Sequence, residues 1–133
     1  MKSCNIENLN ALAEENSEKY KNRKPFPYIS FENFLNFGAA QNMMDAFPSI
    51  DENFYKYDNP LERKYAFDKV SELPAPIRDT LIELNSPPFL NFLEKLTGIN
   101  GLIPDPYYRG GGIHQSKRGG KLDIHVDFNV HPK

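Results

Sequence analysis

The sequence predicts an α+β fold, because stretches with apolar residues three and four apart are followed by a stretch of strict alternation. The helical spacing is carried by Phe37, Ala40, Met44 and Phe47, by Ile77, Leu81 and Leu84, and by Phe89, Phe92, Leu93 and Leu96. The alternation is carried by "KLDIHVDFN", in which Leu122, Ile124, Val126 and Phe128 are apolar while Asp123, His125, Asp127 and Asn129 are polar. A chain of 133 residues suits one compact domain, and ten Phe with seven Tyr supply the bulk for its core.

In chain order, residues 5–23 read as a polar amphipathic helix with Ile6, Leu9, Leu12 and Ala13 near helical spacing. It either packs at an edge or extends as a solvated arm. Residues 1–25 are accordingly read as an N-terminal helical arm and 26–133 as the body. Pro25 and Pro27 block a helix, and Tyr28 to Phe31 favour a short strand. The stripe from Phe37 to Phe47 predicts a core-facing helix that stops before Pro48. Aromatic residues between Ile50 and Asp68 predict one or two strands around the turn Asp58-Asn59-Pro60. Ile77, Leu81 and Leu84 then mark a helix. Ser86 is read as the N-cap of the next, with Pro87 at its first position and Gly98 as its C-terminal glycine. These two helices are expected to pair against the sheet. Finally, Ile113 to Ser116 and Lys121 to Asn129 predict a hairpin around Lys117 to Gly120. With an even loop, His114 would share a face with Asp123, His125 and Asp127; an odd loop would turn it away.

Composition narrows the function. The formal net charge of −2 and a pI near 5.9 lack the basic excess of a nucleic-acid binder, and Lys117, Arg118 and Lys121 read as a solvated turn. The single cysteine, Cys4, allows no intramolecular disulfide and no thiolate zinc cage. The N-terminus lacks an apolar signal-peptide core, and no run of about 18 apolar residues is present, so a cytoplasmic protein without a membrane span is expected.

The polar face of "KLDIHVDFN" carries the candidate chemistry. In a strand, His125 and Asp127 project to one side with their bases roughly 6–7 Å apart, a separation from which imidazole and carboxylate converge on one metal ion. Two histidines and one carboxylate on one side of Fe(II) leave positions open for cosubstrate and oxygen. The glycines at 110–112 suit close approach of a ligand to backbone. The plainer alternative is a half-exposed strand whose outer face happens to be polar.

The segment "LTGINGLIPDPYYRGGGIHQSKRGGKLDIHVDFN" resembles the prolyl-4-hydroxylase-like branch of the Fe(II)/2-oxoglutarate dioxygenases, which carries a glycine-rich strand, a short turn and then a His-x-Asp strand. The likeness extends over about residues 26–133 and is densest from Leu96 to Asn129. It implies a double-stranded β-helix, or jelly roll, behind N-terminal helices. His125 and Asp127 would be the first two iron ligands, with 2-oxoglutarate and O2 as cosubstrates. The implied reaction hydroxylates an unactivated C–H bond and converts 2-oxoglutarate to succinate and CO2. The substrate would be a small molecule or a peptidyl residue, with neither nucleic acid nor membrane as partner.

The distal histidine of that family, and the basic residue that follows it, have no counterpart here. His131 stands about 20 Å from His125 along an extended strand, and Lys133 cannot be assigned the carboxylate-binding role. The resemblance therefore implies the N-terminal half of a jelly-roll domain. His114 is a substitute ligand or, with Gln115, a pocket residue. Asn129 is a second pocket candidate, able to orient a ligand. Tyr107, Tyr108 and Arg109 either reach a substrate carboxylate or pack, and Asp123 reads as a strand-edge polar group. Two other readings stand beside this one: a non-catalytic jelly-roll binding module, and a cupin-type zinc or manganese site, for which the histidine spacing does not match.

Overall fold

Four helices and a small antiparallel sheet make up the computed structural model, which describes residues 3–4, 6–108 and 110–125. The fold is α+β, as the periodicities predict.

The first helix, α1 (Ile6–Lys21), buries Leu9 and Ala13 against Phe92 and Leu96 of the last one, α4 (Pro87–Thr97). Phe31, Phe34 and Phe89 close around this contact, with Phe34 and Phe92 ring centroids 5.8 Å apart. Residues 28–31 form no strand. Ile29 and Phe31 bury against the helices instead, and Pro25 and Pro27 offer no amide to a ladder. Just before α1, Cys4 bridges to Leu35, and Asn36 N–H donates to Ser3 O at 2.8 Å. The Glu83 carboxylate accepts from the backbone N–H groups of Ser3 and Cys4 at 2.5 and 3.2 Å, so α3 anchors this segment.

Helix α2 (Phe37–Asp45) starts at Asn36, whose side chain accepts from Gly38 N–H at 2.9 Å, and it ends before Pro48 as expected. Its phase differs from the prediction. Ala39 is buried and Met43 packs on the core, whereas Phe37 is 83% exposed and Met44 72% exposed. The small side chain of Ala39 allows close approach to α3 (Ala75–Leu84), and this contact sets the inward face rather than the larger residues.

Strands β1 (Tyr55–Asp58) and β2 (Glu62–Phe67) form the expected hairpin, running from Tyr55 opposite Ala66 to Asp58 opposite Arg63. Asn59 Oδ1 holds its turn by accepting from Leu61 and Glu62 N–H at 2.9 and 3.0 Å. Phe54, Phe67, Ile113, Ile77 and Leu73 form a second buried centre together with Val70, which lies in a short 3₁₀ turn (Val70–Glu72). The two consecutive helices thus divide their work: α3 covers the sheet, while α4 pairs with α1. Ser86 stands at the N-cap of α4, but its hydroxyl donates to Glu83 O at 2.6 Å instead of capping. Gly98 ends α4 in the left-handed conformation (φ 78°).

The predicted hairpin at the glycine-rich segment does not form among the described residues. β3 (Ile113–Gln115) and β4 (Lys121–Leu122) both pair antiparallel with β2, on the same edge and one after the other. Gln115 lies opposite Tyr65 and Lys121 opposite Arg63. Six steps on one side therefore answer two on the other, and four residues loop out of one interrupted strand. A turn with Gly120 N–H donating to Lys117 O at 2.8 Å closes the excursion. The glycines make close backbone contact possible: a Cβ on Gly112 would lie 2.5 Å from Phe67 O, and one on Gly120 would lie 3.1 Å from Arg63 O. At Gly112 the close partner is the neighbouring strand, whereas at Gly120 the loop's own Lys117 O and Ser116 Cβ, each at 2.9 Å, are closer still.

Candidate metal centre

Directly opposed residues of antiparallel strands share a face, so β2 sorts the candidate side chains. Phe67, Tyr65 and Arg63 define one face, with Ile113, Gln115 and Lys121 opposite them. Ala66 and Glu62 define the other, with His114 and Leu122 opposite. His114 and Lys121 oppose residues three apart on β2 and so point to opposite sides. The even-hairpin alignment that would bring His114 beside Asp123 is therefore not present. Gln115 is on the side of Lys121, and Lys121 pairs with Asp123 at 2.9 Å. Gln115 Oε1 is buried and accepts no hydrogen bond among the described residues.

His125 follows β4. Asp123 N–H donates to Leu61 O at 2.7 Å and carries the pairing with the β2 hairpin one step past Leu122. His125 Nδ1 stands 2.8 Å from Asp123 O. A carbonyl oxygen only accepts, so Nδ1 is the donor in this contact. A backbone acceptor on one ring nitrogen is the usual means of orienting a metal-binding histidine. Asp127, Asn129 and His131, like Arg109, lie outside the described residues. Imidazole nitrogen and carboxylate oxygen fit Fe(II) by donor type. Among the described residues no three His, Cys, Asp or Glu side chains cluster to hold a metal.

His114 is exposed, but burial of its ring holds its pKa below the ordinary 6.5, and the Lys64 ammonium adds to this while Glu62 and Asp68 oppose it. Lys64 itself pairs with Glu62 at 3.0 Å and stands over the Tyr57 ring at 5.0 Å from its centre. Tyr108 packs against the sheet's buried centre with φ 51°, while Tyr107 is 77% exposed. Both border a cleft of about 580 Å³ shared with Asp68, Arg78 and Ile82.

The sequence reading missed a second cleft, of about 210 Å³, where Lys117 and Arg118 meet Lys56 and Arg63. Nothing in local spacing signals it, since the residues come from three separate stretches. No helix among the described residues is long and apolar enough to cross a membrane. No family model, no curated protein and no solved structure matches the chain.

Proposed function

We propose that this chain carries the first two iron ligands, His125 and Asp127, of an Fe(II)- and 2-oxoglutarate-dependent dioxygenase of the prolyl-4-hydroxylase type. The observation that carries this reading is the His-x-Asp sequence directly after a glycine-rich strand. It is supported by the hydrogen bond through which Asp123 O orients the His125 ring. On this reading the sheet is the start of a jelly roll. The bound metal, with 2-oxoglutarate and O2, would supply oxidative hydroxylation of a C–H bond in a small-molecule or peptidyl substrate, in the cytoplasm. The chain's own part is to orient the imidazole through Asp123 O and to offer Gln115 to the pocket. Asn129 remains a pocket candidate, and His114 is left to the opposite side of the sheet.

A second reading, a non-catalytic jelly-roll module, rests on the lack of a counterpart here to the family's distal histidine and to the basic residue that follows it. Anaerobic addition of Fe(II) and then 2-oxoglutarate separates the two. The dioxygenase reading expects a weak visible charge-transfer band that His125→Ala abolishes. A band unchanged by that substitution favours the binding module.

A further inference from the structure

The loop that interrupts the β3–β4 strand does more than bridge two halves of a ladder. Lys117 Nζ stands 5.2 Å from the centre of the Tyr65 ring, which places the loop over the face of β2 that carries Tyr65 and Arg63. Register adds Lys56, opposite Tyr65, and Asp58, opposite Arg63, to that face. Lys121, opposite Arg63, extends it. Lys56, Arg63, Lys117 and Arg118, with Asp58 and Tyr65, line a cleft of about 210 Å³.

The charge in this cleft is unbalanced. Asp58 is held by Lys56 Nζ at 2.7 Å and Arg63 Nε at 3.3 Å, and Lys64, which also lines the cleft, pairs with Glu62 at 3.0 Å. Among the described residues those two carboxylates, Asp58 and Glu62, therefore answer five lining cations: Lys56, Arg63, Lys64, Lys117 and Arg118. Lys117 is engaged only by an aromatic face, and Arg118 has no ion pair among the described residues. The whole chain has a net charge of −2, so this excess is local. Cations converging from three stretches repel one another unless an anion neutralises them, and the field in a cleft of one sign concentrates counter-ions. A planar carboxylate would be met by one or two of these donors. A tetrahedral dianion can take the Arg118 fork and the lysine ammonium groups from different directions at once.

We propose that this cleft binds a phosphate dianion, either free phosphate or the phosphate group of a small phosphomonoester. Lys117 and Arg118 of the loop close over it, and Lys56 and Arg63 form its floor. The site uses none of the proposed iron ligands, so it stands or falls separately from the dioxygenase reading.

Two-dimensional amide NMR of the whole chain tests it, with inorganic phosphate and glycerol 3-phosphate titrated at constant ionic strength against chloride. Saturable shifts at residues 117–120 and 56–64 are expected, with affinity at least tenfold weaker in Lys117→Ser/Arg118→Ser. Equal affinity for the two ligands identifies the phosphate group alone as the determinant, and tighter binding of the ester identifies a phosphomonoester. Since the loop is exposed, the double variant is expected to keep the parent spectrum elsewhere. If it does not, Arg118→Gln alone must still weaken binding at least threefold. Shifts that chloride reproduces, that fail to saturate, or that survive both variants overturn the proposal.

Discussion

At the scale of single residues, backbone contact decides more than side-chain chemistry. Gly112 has φ 150° and sits where a Cβ would collide with Phe67 O. Gly112→Ala should therefore cost roughly 1–3 kcal/mol for the strained backbone, with steric displacement of β2 added. Urea denaturation measures this; a loss below about 0.5 kcal/mol, the usual range of a neutral surface change, would contradict the reading of this contact. His114 makes a pH-dependent prediction. Its folded pKa is lowered, by burial first and then by Lys64, so the unfolded chain takes up its proton more readily. Its contribution to stability is therefore complete above pH 6.5 and is lost as pH falls through the lower, folded value. Stability curves collected from pH 8 to pH 5 should slope less in His114→Gln than in the parent. His125 was legible as a candidate because strand alternation is a local property. That His114 lies on the other side was not, because its side depends on the partner strand and on how many residues loop out.

Secondary-structure elements follow the sequence where local chemistry sets them and depart from it where tertiary contact does. Pro87 and Gly98 mark the two ends of α4, which the structure places as expected. The apolar stripe of α2 misleads because Ala39, not Phe37, is the residue the neighbouring helix accommodates. The β3–β4 excursion misled for a related reason: glycine pairs and basic residues mark a turn, but they do not say whether the chain reverses. Residues 117–120 leave and rejoin a single edge, and a Cβ on Gly120 would stand 2.9 Å from Ser116 Cβ. Deleting these four residues should thus restore one continuous strand with Lys121 still opposite Arg63. Stability should hold within about 1 kcal/mol, since shortening a loop changes closure entropy only slightly. A loss above about 2 kcal/mol would contradict the interrupted-strand description. At the other end of the chain, Glu83 anchors Ser3 and Cys4, and the Ser3 and Thr80 hydroxyls meet at 2.7 Å. Glu83→Ala leaves two N–H donors without that acceptor, which should cost about 1–3 kcal/mol. Cys4, buried and with its thiol pKa raised by that burial and by Glu83, should then react much faster with a thiol reagent. An unchanged labelling rate would argue against the anchor.

Across the whole molecule, two apolar centres share the load. One joins α1 and α4 around Phe92, and the other joins α3 to the sheet around Phe54 and Phe67. Phe92 is 2% exposed and touches three other phenylalanine rings, so Phe92→Ala should cost roughly 3–5 kcal/mol. The sheet's described strands end on β1 at one side and on β3 and β4 at the other. His125 extends from this second side, beyond Leu122, and the proposed metal centre lies there. The sequence could suggest two ligands on one strand, but no local pattern could suggest the basic cleft on the same sheet face, assembled from residues 56, 63 and 117–118. The central claim, that His125 and Asp127 bind one metal ion, is tested most directly by paramagnetic NMR. Substoichiometric Mn(II), standing in for Fe(II), is added to the labelled chain and line broadening is followed residue by residue. The account predicts broadening centred on His125 and Asp127, removed by His125→Ala and by Asp127→Asn. Broadening spread over surface carboxylates such as Asp58 and Asp123, unchanged in both variants, would contradict it.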